Sequence, residues 1–76
     1  MKAAKQGHSD ALNNIGLCYD NALFVEKSVP KAVDYYKKAA NKGHSQAMNN
    51  LAICYQNGEG VKKDLLKATK YYQKAF

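Results

Sequence analysis

Along the chain, apolar residues recur three and four positions apart in four blocks, separated by short polar or glycine-bearing breaks. In the first block Ala11, Leu12, Ile15, Gly16, Cys18 and Tyr19 share one face at roughly 100° per residue, and Asp10, Asn13, Asn14, Leu17, Asp20 and Asn21 share the other. The third block repeats this with Ala47, Met48, Leu51, Ala52, Cys54 and Tyr55 inward. The second block turns Val29, Ala32, Val33, Tyr35, Tyr36, Ala39 and Ala40 inward, and the fourth Leu65, Ala68, Thr69, Tyr71, Tyr72, Ala75 and Phe76. The pattern predicts an all-α chain of four amphipathic helices, at 9–21, 29–42, 45–57 and 64–76.

The breaks carry the chemistry of helix ends. Gly7 and Gly43 are placed to end a helix, and Ser9, Ser45 and Asp64 to cap the next. Pro30 falls in a first turn, where its missing N–H is harmless. Gly16 and Ala52 are small where two helices must approach closely. The later loop contains Gly58 and Gly60, which tolerate left-handed backbone angles; the earlier one has Ala22 and Phe24 instead. Holding an L-residue at positive φ costs about 1–2 kcal/mol. The earlier loop must therefore be strained, reshaped or replaced by a longer helix end, with Leu23 and Phe24 an exposed apolar pair.

The same text is written twice. Gly43-His44-Ser45 through Cys54-Tyr55 reproduces Gly7-His8-Ser9 through Cys18-Tyr19 at an offset of 36, and Tyr35-Tyr36 returns as Tyr71-Tyr72. A fixed period of this size marks a solenoid, in which each unit covers its neighbour's apolar edge. The division is repeat one at 7–42 and repeat two at 43–76. Residues 1–6 match 37–42 and read as the tail of a preceding repeat helix, so the chain reads as an excerpt of a longer array.

These residues resemble the Sel-one-like repeat (SLR) family, a relative of the tetratricopeptide repeat. Copy two carries its pattern at Ala40, Gly43, Ala47, Leu51, Tyr55, Gly58, Gly60, Val61, Asp64, Lys67, Ala68, Tyr71, Tyr72, Lys74 and Ala75, with Ala52 where the family has Gly. Copy one carries it at Ala4, Gly7, Ala11, Gly16, Tyr19, Val25, Lys31, Ala32, Tyr35, Tyr36, Lys38, Ala39 and Ala40, and departs at Ile15, Ala22, Phe24 and Ser28. The resemblance implies a right-handed α-solenoid of antiparallel helix pairs (an α/α superhelix of two 36-residue repeats) serving as an adaptor or scaffold for protein–protein interaction. It also implies that the first helix of each pair lines a concave groove for a protein or extended peptide partner. The outward residues there are Asn13, Asn14, Leu17 and Asn21, beside Asn49, Asn50, Ile53 and Asn57. Asparagine amides both donate and accept, so a row of them can hold a peptide backbone, and Leu17 and Ile53 can seat an apolar side chain.

Composition narrows the alternatives. The formal net charge of +6 comes from lysine alone, without arginine. A basic surface binding nucleic acid or another polyanion is the alternative reading, but the missing arginine fork weighs against nucleic acid. The second-helix lysines are expected on the side opposite the tyrosines, so that basic and aromatic groups do not interleave. Cys18 and Cys54 are repeat equivalents, too far apart for a disulfide, and read as small reduced hydrophobes suited to a reducing, cytoplasmic compartment. His8 and His44 recur a full repeat apart without clustered ligands, so no metal or cofactor is expected. No catalytic motif or paired carboxylate occurs, so the chain is not read as an enzyme. No apolar run reaches membrane-spanning length. Uncovered apolar ends, with Ala3, Ala4 and Leu12 at one and Leu66, Ala75 and Phe76 at the other, predict a marginally stable or self-associating chain.

Overall fold

The computed structural model describes the backbone from Lys2 to Ala75 and side chains from His8 to Ala75. Four helices follow one another: α1 (Lys2–Asn21), α2 (Val29–Asn41), α3 (Ser45–Asn57) and α4 (Leu65–Ala75). Consecutive helices pack as α1 on α2, α2 on α3 and α3 on α4, which makes two stacked helical hairpins in a slab 35 × 31 × 13 Å. The expected positions for Phe76, and for the side chains of Ala3 and Ala4, lie outside the described residues.

The helix ends follow from local chemistry. At the start of α2, Ser28 Oγ accepts the Lys31 N–H (3.4 Å), with Pro30 in the first turn. At the start of α4, Asp64 Oδ1 accepts the Lys67 N–H (3.0 Å). Two expected ends differ. The cap of α3 is His44, not Ser45: its imidazole accepts the Ala47 N–H. A Ser at the first helical position cannot reach the free N–H groups that a residue outside the helix can.

The second difference is at Gly7, where α1 runs straight through. Its equivalent, Gly43, sits at φ +86 and lets the chain reverse into α3, which then packs on α2. Continuing the helix through Gly7 instead satisfies N–H groups that would otherwise need a cap, and a glycine inside a helix costs only about 1 kcal/mol. Ser9 is therefore buried within α1 rather than capping it.

The core is centred on α2. Ala32, Val33, Tyr36 and Ala39 are all at most 1% exposed, because α1 covers one side of the helix and α3 the other. Ala47, Leu51, Ala52, Cys54 and Tyr55 of α3, and Ala68 of α4, extend the core. Each large side chain so buried contributes about 1.5–3 kcal/mol. Gly16 is set by this packing: a Cβ there would lie 2.7 Å from Tyr36 Cε1 and 3.2 Å from the Ala32 carbonyl oxygen. The close approach expected of Gly16 is thus between α1 and α2, against a ring that has no room to swing away.

Of the three fates open to the glycine-less loop, the structure takes strain. Ala22 and Phe24 lie at φ 56 and 66, close to the 68 and 70 of Gly58 and Gly60. The hydrogen bonds also correspond: Leu23 N–H to Cys18 O and Ser28 N–H to Tyr19 O in the first loop, Glu59 N–H to Cys54 O and Asp64 N–H to Tyr55 O in the second. The apolar pair is exposed as expected, Phe24 completely. Phe24 is sterically free to be there, whereas a Cβ on Gly60 would come within 2.9 Å of the Val29 backbone. The two loops should therefore respond oppositely to substitution. Ala22→Gly with Phe24→Gly should raise stability by about 1–2 kcal/mol, and Gly60→Ala should lower it by at least as much. Urea unfolding followed by circular dichroism measures both, and equal signs would contradict the assignment.

Candidate functional site

The first helices of the two hairpins, α1 and α3, are joined side by side through polar side chains. Asn50 Nδ2 donates to Asn13 Oδ1 (3.1 Å). One turn away, His44 Nε2 meets Asp10 Oδ1 at 2.5 Å. His44 Nδ1 already accepts the Ala47 N–H (3.0 Å), so the ring proton sits on Nε2 and is donated to Asp10. One imidazole thus caps α3 and ties it to α1.

This arrangement divides the eight residues expected in the groove. Asn13 is only 2% exposed and is occupied by its bond to Asn50, so both belong to the seam between repeats. The helical projection placed Asn13 outward because it knows one helix and not the neighbour that covers it. Asn14 and Asn57 are exposed and Asn49 is half-buried. Asn21 is exposed, with its Nδ2 donating to the Leu17 carbonyl (3.0 Å). Leu17 is half-buried against the core, whereas Ile53 stands 37% exposed. The Asp10–His44 pair was not singled out from sequence; its signal was the Gly-His-Ser start shared by both copies.

Comparison with known proteins decides the family. The model of the Sel1 repeat matches residues 9–44 and again 45–76. The chain belongs to the Sel1 repeat family. Its matched units are offset by two residues from the division at 7–42 and 43–76, which is a difference of phase along the same period. Among solved structures, the Sel1 repeat protein from Oxalobacter formigenes is 42% identical with a TM-score of 0.87, over 88% of this chain and 28% of that one. The protein c5321, a protective antigen present in uropathogenic Escherichia coli strains and displaying an SLR fold, is also 42% identical, with a TM-score of 0.88 over 96% of this chain and 16% of that one. The chain therefore spans under a third of the length of either solved relative. No curated protein matches the sequence.

Both Sel1 units build the same aromatic column. Tyr19 stacks on Tyr35 (centroids 5.8 Å, planes 11° apart) and Tyr55 on Tyr71 (5.9 Å, 2°). Lys31 lies over Tyr19 and Lys38 over Tyr35; Lys67 lies over Tyr55 and Lys74 over Tyr71. The expectation that lysines and tyrosines keep to opposite sides is overturned. Lys38 and Lys74 follow Tyr35 and Tyr71 by three positions, which makes them helix-surface neighbours, and a long lysine stem carries its ammonium well away from its own Cα. The other two tyrosines split: Tyr36 is in the core with its hydroxyl donating to Asp20 Oδ2 (3.0 Å), and the half-buried Tyr72 donates to Gln56 Oε1 (2.7 Å).

Both cysteines of the Sel1 pair are free thiols, Cys54 buried and Cys18 partly so. Burial pushes the Cys54 thiol up to about 11. Burial also raises the Tyr36 phenol well above its usual range, helped by the hydrogen bond to Asp20. No group of three or more His, Cys, Asp or Glu side chains placed to hold a metal ion occurs among the described residues. Nor is any described helix long and apolar enough to cross a membrane.

Two measurements check this site. Asn13→Ala should cost about 1–3 kcal/mol, because Asn50 then loses its partner at a half-buried seam. The double variant Asn13→Ala with Asn50→Ala should cost less than the two single changes added together; strict additivity would show that the bond contributes nothing. The second concerns alkali. Cys54 and Tyr36 both bind their protons more tightly folded than unfolded, so their contribution is complete below the unfolded values, roughly 8.5 for Cys and 10 for Tyr. Stability should fall as pH rises through those values, and Tyr36→Phe should flatten the upper part of the fall in a pH series of melting temperatures.

Proposed function

We propose that the α1/α3 face is a groove for an extended segment of a partner protein. Sel1 repeats are scaffolds for protein–protein interaction, and the coarse role follows from membership in the family. The observation that carries the finer reading is Ile53, a large apolar side chain 37% exposed midway along α3. Half-buried Asn49 and exposed Asn57 flank it on the same helix, and exposed Asn14 and Asn21 lie on the neighbouring helix. Their amides offer donors and acceptors to a peptide backbone, and Ile53 offers an anchor for one apolar side chain. Asn13 and Asn50 hold the two helices in register beneath.

Linear peptides selected from a random library against the intact chain provide the test. Ile53→Asp combined with Asn49→Ala should weaken the selected peptides by about tenfold or more, the usual effect of removing an interface anchor. Selected peptides that bind the variant as well as the parent would place the partner surface elsewhere.

A further inference from the structure

The lysine–tyrosine columns lie outside that groove and offer a different chemistry. In repeat two the ammonium groups of Lys67 and Lys74 rest 5.3 and 5.8 Å from the centroids of Tyr55 and Tyr71, whose rings stack on each other. A ring quadrupole attracts a cation but carries no net charge, so each lysine is positioned without being neutralised. Among the described residues no lysine pairs with a carboxylate, and Asp10 is taken by the His44 imidazole. Lysine normally gives up much rotamer freedom when it binds a ligand, and here part of that loss has already occurred in the free protein.

The column borders a cleft of about 480 Å³ between α3 and the start of α4, lined by Tyr55, Val61, Lys62, Lys63, Asp64 and Lys67. Asp64, its single carboxylate, uses Oδ1 to cap α4. Lys67 and Lys74 are exposed even though the first hairpin is stacked on α3, so the site stays open within a stack. Repeat one contains the same column beside a smaller cleft of about 290 Å³, whose wall holds Lys31, Lys38 and Asp34 where the repeat-two cleft holds Lys62, Lys63, Lys67 and Asp64. Repeat two is therefore the more cationic of two like sites.

We infer that the α3–α4 cleft and the stacked rings beside it seat the carboxylates of an acidic peptide, with Lys67 in the cleft wall and Lys74, held over Tyr71 outside the cleft, as the fixed contacts. The charge selects an anion, and the rings select between anions. Each tyrosine face is taken by the other ring or by an ammonium, so no platform is left for a nucleotide base to stack on. Arginine, the residue suited to bidentate phosphate recognition, is absent. Short carboxylate side chains can instead meet the ammonium groups one at a time. This surface is separate from the α1/α3 groove, so either can fail alone.

The probe is a fluorescent ten-residue polyglutamate, titrated against the full chain at low salt and followed by anisotropy. Binding should weaken steadily as salt is added. Lys67→Gln with Lys74→Gln should reduce affinity by about tenfold, whereas the charge-matched Lys27→Gln with Lys42→Gln should change it by less than about twofold. Equal losses in the two pairs would overturn the site, because net charge alone would then explain the attraction. Absence of binding to polyglutamate would overturn it outright. An oligothymidylate of the same length that binds as tightly would replace the acidic peptide with nucleic acid.

Discussion

Tyr36 is where this structure is decided. Its ring lies against the bare backbone of Gly16 on one side, and its hydroxyl reaches Asp20 on the same helix. It is buried to 1% because α2 has a helix on each flank. Tyr72, the same residue 36 positions later, makes the corresponding bond to Gln56 but is only half-buried. The stack of one hairpin on the next, more than the hairpin itself, makes a core at this position. A helical pair of this size has one apolar edge more than it can cover, and its neighbour supplies the missing cover.

The same dependence appears from the other side at Ile15 and Leu51. Ile15 is 38% exposed and its equivalent Leu51 fully buried; among the described residues a hairpin packs before the second and not before the first. Two polar links reinforce that junction, Asn13 with Asn50 and Asp10 with His44. Hydrogen bonds of this kind add about 0.5–1.5 kcal/mol net each, less than the buried apolar surface, but they are directional and set register where hydrophobic contact alone would tolerate sliding.

The strained loop shows the cost of departing from the repeat. Ala22 and Phe24 adopt backbone angles suited to glycine, and the hydrogen bonds of the glycine-containing loop survive intact. The surrounding helices evidently hold the loop more strongly than two unfavourable residues resist it. In the second loop glycine has an additional reason to be present, because Val29 of the first hairpin leaves no space for a Cβ at Gly60. Position 24 faces no such neighbour among the described residues, and there a phenylalanine stands fully in solvent.

The four helices, their pairing into two units, and the small residue at the α1–α2 crossing were legible in the sequence, because each is a local or periodic property. Helical spacing sorts residues by face, glycine and proline punctuate, and an exact offset exposes the repeat. What sequence could not supply were facts that need a second helix in place. Asn13 became a seam residue only because Asn50 met it; His44 became the cap and the tie to Asp10; Gly7 was carried through by α1, whereas its equivalent Gly43 reverses the chain into α3; and the lysines folded onto tyrosines instead of leaving them. A one-helix projection orders residues around an axis, whereas burial and side-chain direction depend on what packs beside that axis, and this is settled only when the hairpins stack.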